Sequence, residues 1–367
     1  MSINGSNEEF DILSCRKPGD GHCEGPPAID VGETCSATRP PCAVPEHPVV
    51  TKVRATIDVK QLSLTTALPS FADPSSFSTG GADSCHDDAV RNARSWLEAP
   101  LSDARDVAWS DSMPEQYDRW LGPALFTPCA ADLARRAAGL VTSGGRVLEL
   151  AAGTGILTIA LCDGLDAEIT ATDLNEAMVD YGRAREPRAH WQTADALKLP
   201  FEDNQFDLVI CQFGVMFFPD KVRGYQEAAR VLRAGGHLLF ATWCAVEENN
   251  FALVFSESLV EVLGKDPPSF VTRIPYGYHD LAQIRADVEA AGLCIDSIDT
   301  VQLASTAESA RSIARGFGLG SPLRAALAEL GDLDQLVDAL GEVIDKKLGA
   351  GAVAGRMSFL SVAASPH

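Results

Sequence analysis

Three short stretches of this chain put glycines and carboxylates where a nucleotide-like ligand could be held. The first is VLELAAGTGILT, residues 147–158. Gly153 and Gly155, set between an apolar run and a helix-forming run, let a ligand approach the backbone and leave helix N–H groups unspent. The second is Asp173, which closes EITATD (168–173). A carboxylate at that point can accept both hydroxyls of a ribose. The third is TADALKLPFEDNQFDLVI (193–210), in which Asp195 ends a strand and the turn after it can reach an amino-purine edge. A glycine-rich turn also suits a nicotinamide dinucleotide. The full dinucleotide fingerprint asks for a small residue where Thr158 stands and a glycine where Ala151 stands. An alanine at 151 implies negative φ there.

These groups need a frame, and the pattern of elements supplies one. TPCAADLARRAAGL (127–140) reads as a helix, with Thr127 as cap and Pro128 in its first turn. RVLELAA (146–152) reads as a buried strand, and a helix begins at Thr154. Strands follow at 168–173, 190–195, 206–213 and 237–243, with Asn175 able to cap one helix, and Pro219-Asp220 starting another that runs from about Asp220 to Arg233 and ends at Gly235-Gly236. Such alternation means βαβ units and a parallel sheet with helices on both faces. An amphipathic helix (280–292), a strand (294–303), a helical stretch (306–350) and a last strand (355–365) complete the chain. The expected fold is α/β: Rossmann-like and doubly wound, with a mostly parallel seven-stranded sheet. Helical insertions are expected at about 245–279 and 306–350, beside a core at 127–245. All three candidate sites then lie at C-terminal strand ends, where open α/β sheets bind ligands.

Composition narrows the partners. The formal net charge of −21 over 367 residues argues against a nucleic-acid backbone or an anionic membrane surface. No run approaches the roughly 20 apolar residues of a membrane span, and the first residues lack a signal-peptide pattern. A cytoplasmic chain is expected. Residues 1–108 are rich in Pro, Gly, Ser and Thr and hold five of the ten cysteines. They read as an irregular or disordered arm, in which VVTKVRATIDV (49–59) could supply one or two strands. Cys15, Cys23, Cys35, Cys42 and Cys85 form no close-spaced pair, so free thiols rather than a metal site are expected.

The ordered motifs resemble one family. E-L-A-A-G-T-G, then ATDLNEAM, ADALKLPF, FDLVICQFGVMFF and EAARVLRAGGHLLFATW are similar to the class I S-adenosylmethionine-dependent methyltransferases. Within them they are most similar to the bacterial small-molecule group related to the ubiquinone/menaquinone enzymes. The likeness spans about 113–245, continues loosely to the C-terminus and leaves out 1–108. It implies that Glu149 organises the loop near the methionine amino group. Ala151, Gly153, Thr154 and Gly155 would form the cofactor loop, and Asp173 would bind ribose. Leu174 and Met178 would flank adenine, Asp195 and Ala196 would meet its edge, and backbone around Cys211 and Gln212 would meet the methionine moiety.

What remains is the acceptor. CQFGVMFFPD (211–220) stays apolar past its strand, so Phe213, Met216 and Phe217 are candidates for the floor of a small-molecule pocket. Methyl transfer from a sulfonium can run on proximity, whereas a phenol or alcohol acceptor also needs a base. IPYGYHD (274–280) offers Tyr276, Tyr278 and His279 beside an insertion, and Tyr117, in MPEQYDRWLGPALF (113–126), could close the pocket. Tyr117 and His279 are the candidate bases, and the two insertions with 113–126 are expected to form the acceptor pocket. Two rival readings stay open: an NAD(P)-dependent oxidoreductase, and a non-catalytic binding protein on the same fold.

Overall fold

A computed structural model of the chain describes residues 112–264 and 266–367. The expected arm, with its thiols and the possible strands at 49–59, lies outside the described residues. Seven strands form one sheet: β1 (Gly145–Glu149), β2 (Ala167–Asp173), β3 (His190–Thr193), β4 (Phe206–Gln212), β5 (Leu232–Trp243), β6 (Leu293–Ala307) and β7 (Val353–Pro366). Their order is β3-β2-β1-β4-β5-β7-β6. The first five strands pair in parallel, while β7 enters antiparallel between β5 and β6. Strand order reverses between β1 and β4, which creates a crevice at their C-terminal ends.

The centre of the sheet is covered on both faces. From Phe206 to Cys211 every residue of β4 is buried, as expected of a parallel strand between two helical layers. Burial of Phe206, Leu208, Val209 and Ile210 contributes about 1.5–3 kcal/mol each, so this segment resists displacement and gives the crevice a rigid floor.

Helical elements are α1 (Met113–Gln116), α2 (Thr127–Ala137), α3 (Ile156–Gly164), α4 (Glu176–Arg185), α5 (Lys221–Val231), α6 (Asn250–Leu263), α7 (Phe270–Arg273), α8 (Leu281–Ala290), α9 (Ala310–Leu319), α10 (Leu323–Leu330) and α11 (Leu333–Leu348). Between α1 and α2, Tyr117–Phe126 is wound as a π-helix that contains Pro123. Helix therefore runs unbroken from 113 to 137, and Thr127 is not a cap. Wide turns of this kind are uncommon and often occur at functional sites.

Asn175 and Asp220 do cap their helices, accepting from Ala177 N and Met178 N and from Arg223 N. Gly235 and Gly236 end no helix. Helix α5 has already stopped at Val231, and both glycines lie within β5, with Gly235 at φ +77°. The stretches expected as insertions hold α6–α7 and α9–α11. Phe255 of α6 stacks on Phe317 of α9 at 4.8 Å. Helix α9 then runs onto the π-helix, where a Cβ on Gly320 would come within 2.8 Å of Tyr117 N. That close approach carries Phe317 and Ser321 to the crevice. Among the described residues no helix is long and apolar enough to cross a membrane.

Candidate active site

The crevice is a cleft of about 340 Å³ with two unlike ends. One end is polar and built from strand termini. Asp173, half-buried, accepts from Gly153 N through Oδ2 and from Asn175 N through Oδ1, both at 2.9 Å. Burial pushes its carboxyl up, opposed by these backbone N–H groups and that of Leu174. Leu174, Met178, Asp195 and Ala196 continue this wall. Asp195 lies two residues beyond β3 rather than ending it, and its Oδ1 accepts from Leu197 N at 2.8 Å.

A side pocket of about 30 Å³ opens beside Gly153, lined among others by Glu149, Ala151, Thr154 and Gln212. Glu149 is 1% exposed, and burial pushes its carboxyl up to about 8. Thr158 Oγ1 donates to Glu149 Oε2 at 2.6 Å. The residue at the third dinucleotide position is therefore a buried hydroxyl in use, not a stand-in for glycine. Gln212 Nε2 reaches Phe126 O at 3.4 Å, while its Oε1 is buried with no hydrogen-bond partner among the described residues.

The other end is aromatic. Phe213 stacks on Trp243 with centroids 3.8 Å apart and planes 3° from parallel, and Trp243 stacks on Tyr276 at 5.6 Å. Phe126 closes on Phe213 at 5.8 Å, and Tyr117 stacks on Phe126 at 4.6 Å. Phe217 faces Phe270 at 6.3 Å, and Met216 and Phe317 also line this end. Of the described residues lining the cleft, only Asp173 and Asp195 carry charge, and both belong to the polar end.

Two loops hold these ends together under strain. Ala151 has φ +51° and Phe213 φ +54°, so the expectation of negative φ at 151 is corrected. The left-handed region costs a non-glycine residue about 1–2 kcal/mol. Gly214 explains why the chain accepts it: a Cβ there would lie 2.5 Å from Ala151 Cβ and 2.7 Å from Cys211 Sγ. The loops after β1 and β4 touch through the space that this glycine leaves. The π-helix is fixed to the same loop, because Asp118 pairs with Arg185 and accepts from Thr154 Oγ1, and Arg185 Nη1 donates to Thr154 O at 2.9 Å.

Most of the expected site residues converge here. Cys211 does not line the cleft: it is fully buried, and burial pushes its thiol up to about 12. Gly155 packs instead against Trp191, 3.0 Å from where a Cβ would sit. His279 is exposed and outside the cleft, with Nδ1 2.9 Å from Tyr276 O. Tyr117 does line it, but burial holds its phenol well above the ordinary value, which disfavours a base. Phe126, Phe270 and Tyr276 come from the segments expected to form the acceptor pocket, whereas Trp243, at the end of β5, was missed. Only the folded chain brings them together.

A methyltransferase-domain family profile matches residues 148–240. The demethylmenaquinone methyltransferase of Mycobacterium sp. (strain KMS) is 37% identical over 152 residues, 41% of this chain and 64% of that protein. The one from Mycolicibacterium vanbaalenii is 34% identical over 169 residues, 43% of this chain and 72% of that protein. The chain belongs to the class I S-adenosylmethionine-dependent methyltransferases. The chain spans about 64% of the length of the Mycobacterium relative. Among solved structures, Haemonchus contortus phosphoethanolamine N-methyltransferase 2 with S-adenosyl-L-methionine is 16% identical, covering 73% of this chain and 60% of that one with a TM-score of 0.47.

Proposed function

We propose that residues 109–367 form a methyltransferase domain that binds S-adenosylmethionine at the polar end of the cleft. The acceptor, a small apolar or aromatic molecule, binds at the other end. The observation that carries this reading is the single cleft with nucleoside-type carboxylates at one end and an uncharged aromatic wall at the other. When bound, S-adenosylmethionine supplies an electrophilic methyl group on a sulfonium, open to in-line displacement.

The residues present fit that cofactor. Asp173 offers ribose hydroxyls two oxygens already oriented by backbone N–H groups. Leu174 and Met178 would flank the adenine, with Asp195 and Ala196 at its edge. An ammonium group in the side pocket would satisfy the unpartnered Gln212 Oε1 and compensate the buried Glu149 carboxyl. A buried acceptor without a donor costs about 1–3 kcal/mol, and a cationic ligand group removes that cost.

At the aromatic end the chain's contribution is to exclude water and orient the acceptor. No charged base lines it, which favours an acceptor already nucleophilic when it binds. The relatives' names specify demethylmenaquinone, and a further relative in Pseudomonas aeruginosa, 34% identical over 154 residues, is named for ubiquinone/menaquinone biosynthesis as a C-methyltransferase. We therefore favour an electron-rich aromatic ring of the quinone class, methylated at carbon.

Isothermal titration with S-adenosylmethionine and with NADH tests the cofactor assignment. Binding of the first alone is expected. Binding of NADH alone would return the site to the oxidoreductase reading, which the engaged Thr158 disfavours.

A further inference from the structure

Few groups at the aromatic end could recognise a polar atom on the acceptor. Ser321 Oγ is used within its own helical turn, donating to Phe317 O at 2.6 Å. Tyr117 stacks on Phe126 between the two ends, with Asp118 and Asp173 of the cofactor end, as well as Tyr276, among its electrostatic neighbours. Tyr276 is different. It is 3% exposed and lines the cleft, and among the described residues no hydrogen bond reaches its hydroxyl.

The ring cannot easily turn to find a partner. One face lies on Trp243, which is itself stacked on Phe213. The backbone is tied by Tyr276 N to Val271 O at 3.2 Å. Two residues on, Thr242 Oγ1 donates to Tyr278 O at 2.7 Å, and the Tyr278 hydroxyl donates to Asp287 Oδ2 at 2.8 Å. The hydroxyl therefore sits on the cleft wall with its hydrogen-bonding capacity left for whatever the cleft holds.

We propose that the Tyr276 hydroxyl orients the acceptor by donating a hydrogen bond to one oxygen on an otherwise apolar, planar, uncharged ring. This rests on the methyl-transfer reading above. Burial keeps the phenol proton in place, so the group donates and does not abstract. A carboxylate or phosphate on the acceptor would find no counter-charge at this end and would be desolvated unpaired. The neighbouring rings take the flat ring face, and Tyr276 sets which edge of the acceptor points toward the cofactor.

The test uses two probes of the same ring size, 2-naphthol and naphthalene, bound to the full-length protein in saturating S-adenosylhomocysteine and followed by tryptophan fluorescence. Wild type is expected to prefer 2-naphthol by about three- to tenfold, the value of one hydrogen bond. Tyr276→Phe keeps the ring stack and is expected to remove the preference, leaving naphthalene affinity, S-adenosylhomocysteine affinity and Tm unchanged. A preference that survives in Tyr276→Phe, or none in wild type, overturns the assignment. Failure of S-adenosylhomocysteine to bind wild type would instead overturn the cofactor reading beneath it.

Discussion

The loops after β1 and β4 meet at Gly214, and that contact can be tested by filling it. Gly214→Ala places a methyl 2.5 Å from Ala151 Cβ and 2.7 Å from Cys211 Sγ. Neither neighbour can yield easily. Ala151 is already left-handed, at φ +51°, and Cys211 is fully buried in the central strand. Overpacking of this kind costs about 1–3 kcal/mol. Ala151→Gly alone should be near neutral: it relieves about 1–2 kcal/mol of left-handed strain and adds about 0.5–1 kcal/mol of chain entropy. The double variant removes the nearer clash and should recover about 1 kcal/mol relative to additivity. Urea denaturation of all four proteins gives the coupling energy, and titration with S-adenosylhomocysteine gives the matching loss of affinity in Gly214→Ala. Strict additivity in stability would show that the two loops do not touch as described, and the argument for strain shared across the cleft floor would fail.

Other expectations follow from the same geometry. Asp173→Ala removes a carboxylate held by two backbone donors, each such charged bond contributing about 1.5–3 kcal/mol. Cofactor affinity should fall at least tenfold by calorimetry, and an unchanged Kd removes the ribose assignment. Glu149 keeps its proton in the folded chain up to about pH 8 against 4.5 as its ordinary value. Its contribution to unliganded stability is therefore full below about 4.5 and is lost as pH rises through 8. Subtracting the Tm–pH curve of Glu149→Gln from that of wild type should show this fall, and a flat difference contradicts it. Phe217→Ala and Met216→Ala should impair acceptor use while cofactor affinity holds. Loss of both together would make these two residues ordinary core.

Much of the frame was legible because it rests on local signals. Strand–helix alternation, the caps at Asn175 and Asp220, and the carboxylates near strand ends are written in a few adjacent residues each. The unbroken helix from 113 to 137 was hidden because Thr127-Pro128 reads as the start of a new helix, and because Pro123 lies inside the turns that precede it. The wide π turns tolerate Pro123, and Pro128 falls in the first turn of α2. The placement of β7 between β5 and β6 depends on pairing across more than a hundred residues, which periodicity does not encode. Ala151 shows the same limit at a single residue. Its left-handed φ goes with close packing against Gly214, more than sixty positions away, a contact that only the folded chain makes. The acceptor wall was half legible. Phe213, Met216 and Phe217 stood out as an apolar run past a strand end, whereas Phe126, Trp243 and Tyr276 come from three other elements and carry no shared pattern.

The central claim is that this cleft moves a methyl group from S-adenosylmethionine to an apolar or aromatic acceptor. Incubating the protein with methyl-labelled S-adenosylmethionine and a host metabolite extract measures it directly. The expected result is label in a ring-containing, organic-extractable product, absent with Asp173→Ala. Bound cofactor with no label transferred to any metabolite would contradict it and leave a binding protein on a methyltransferase fold.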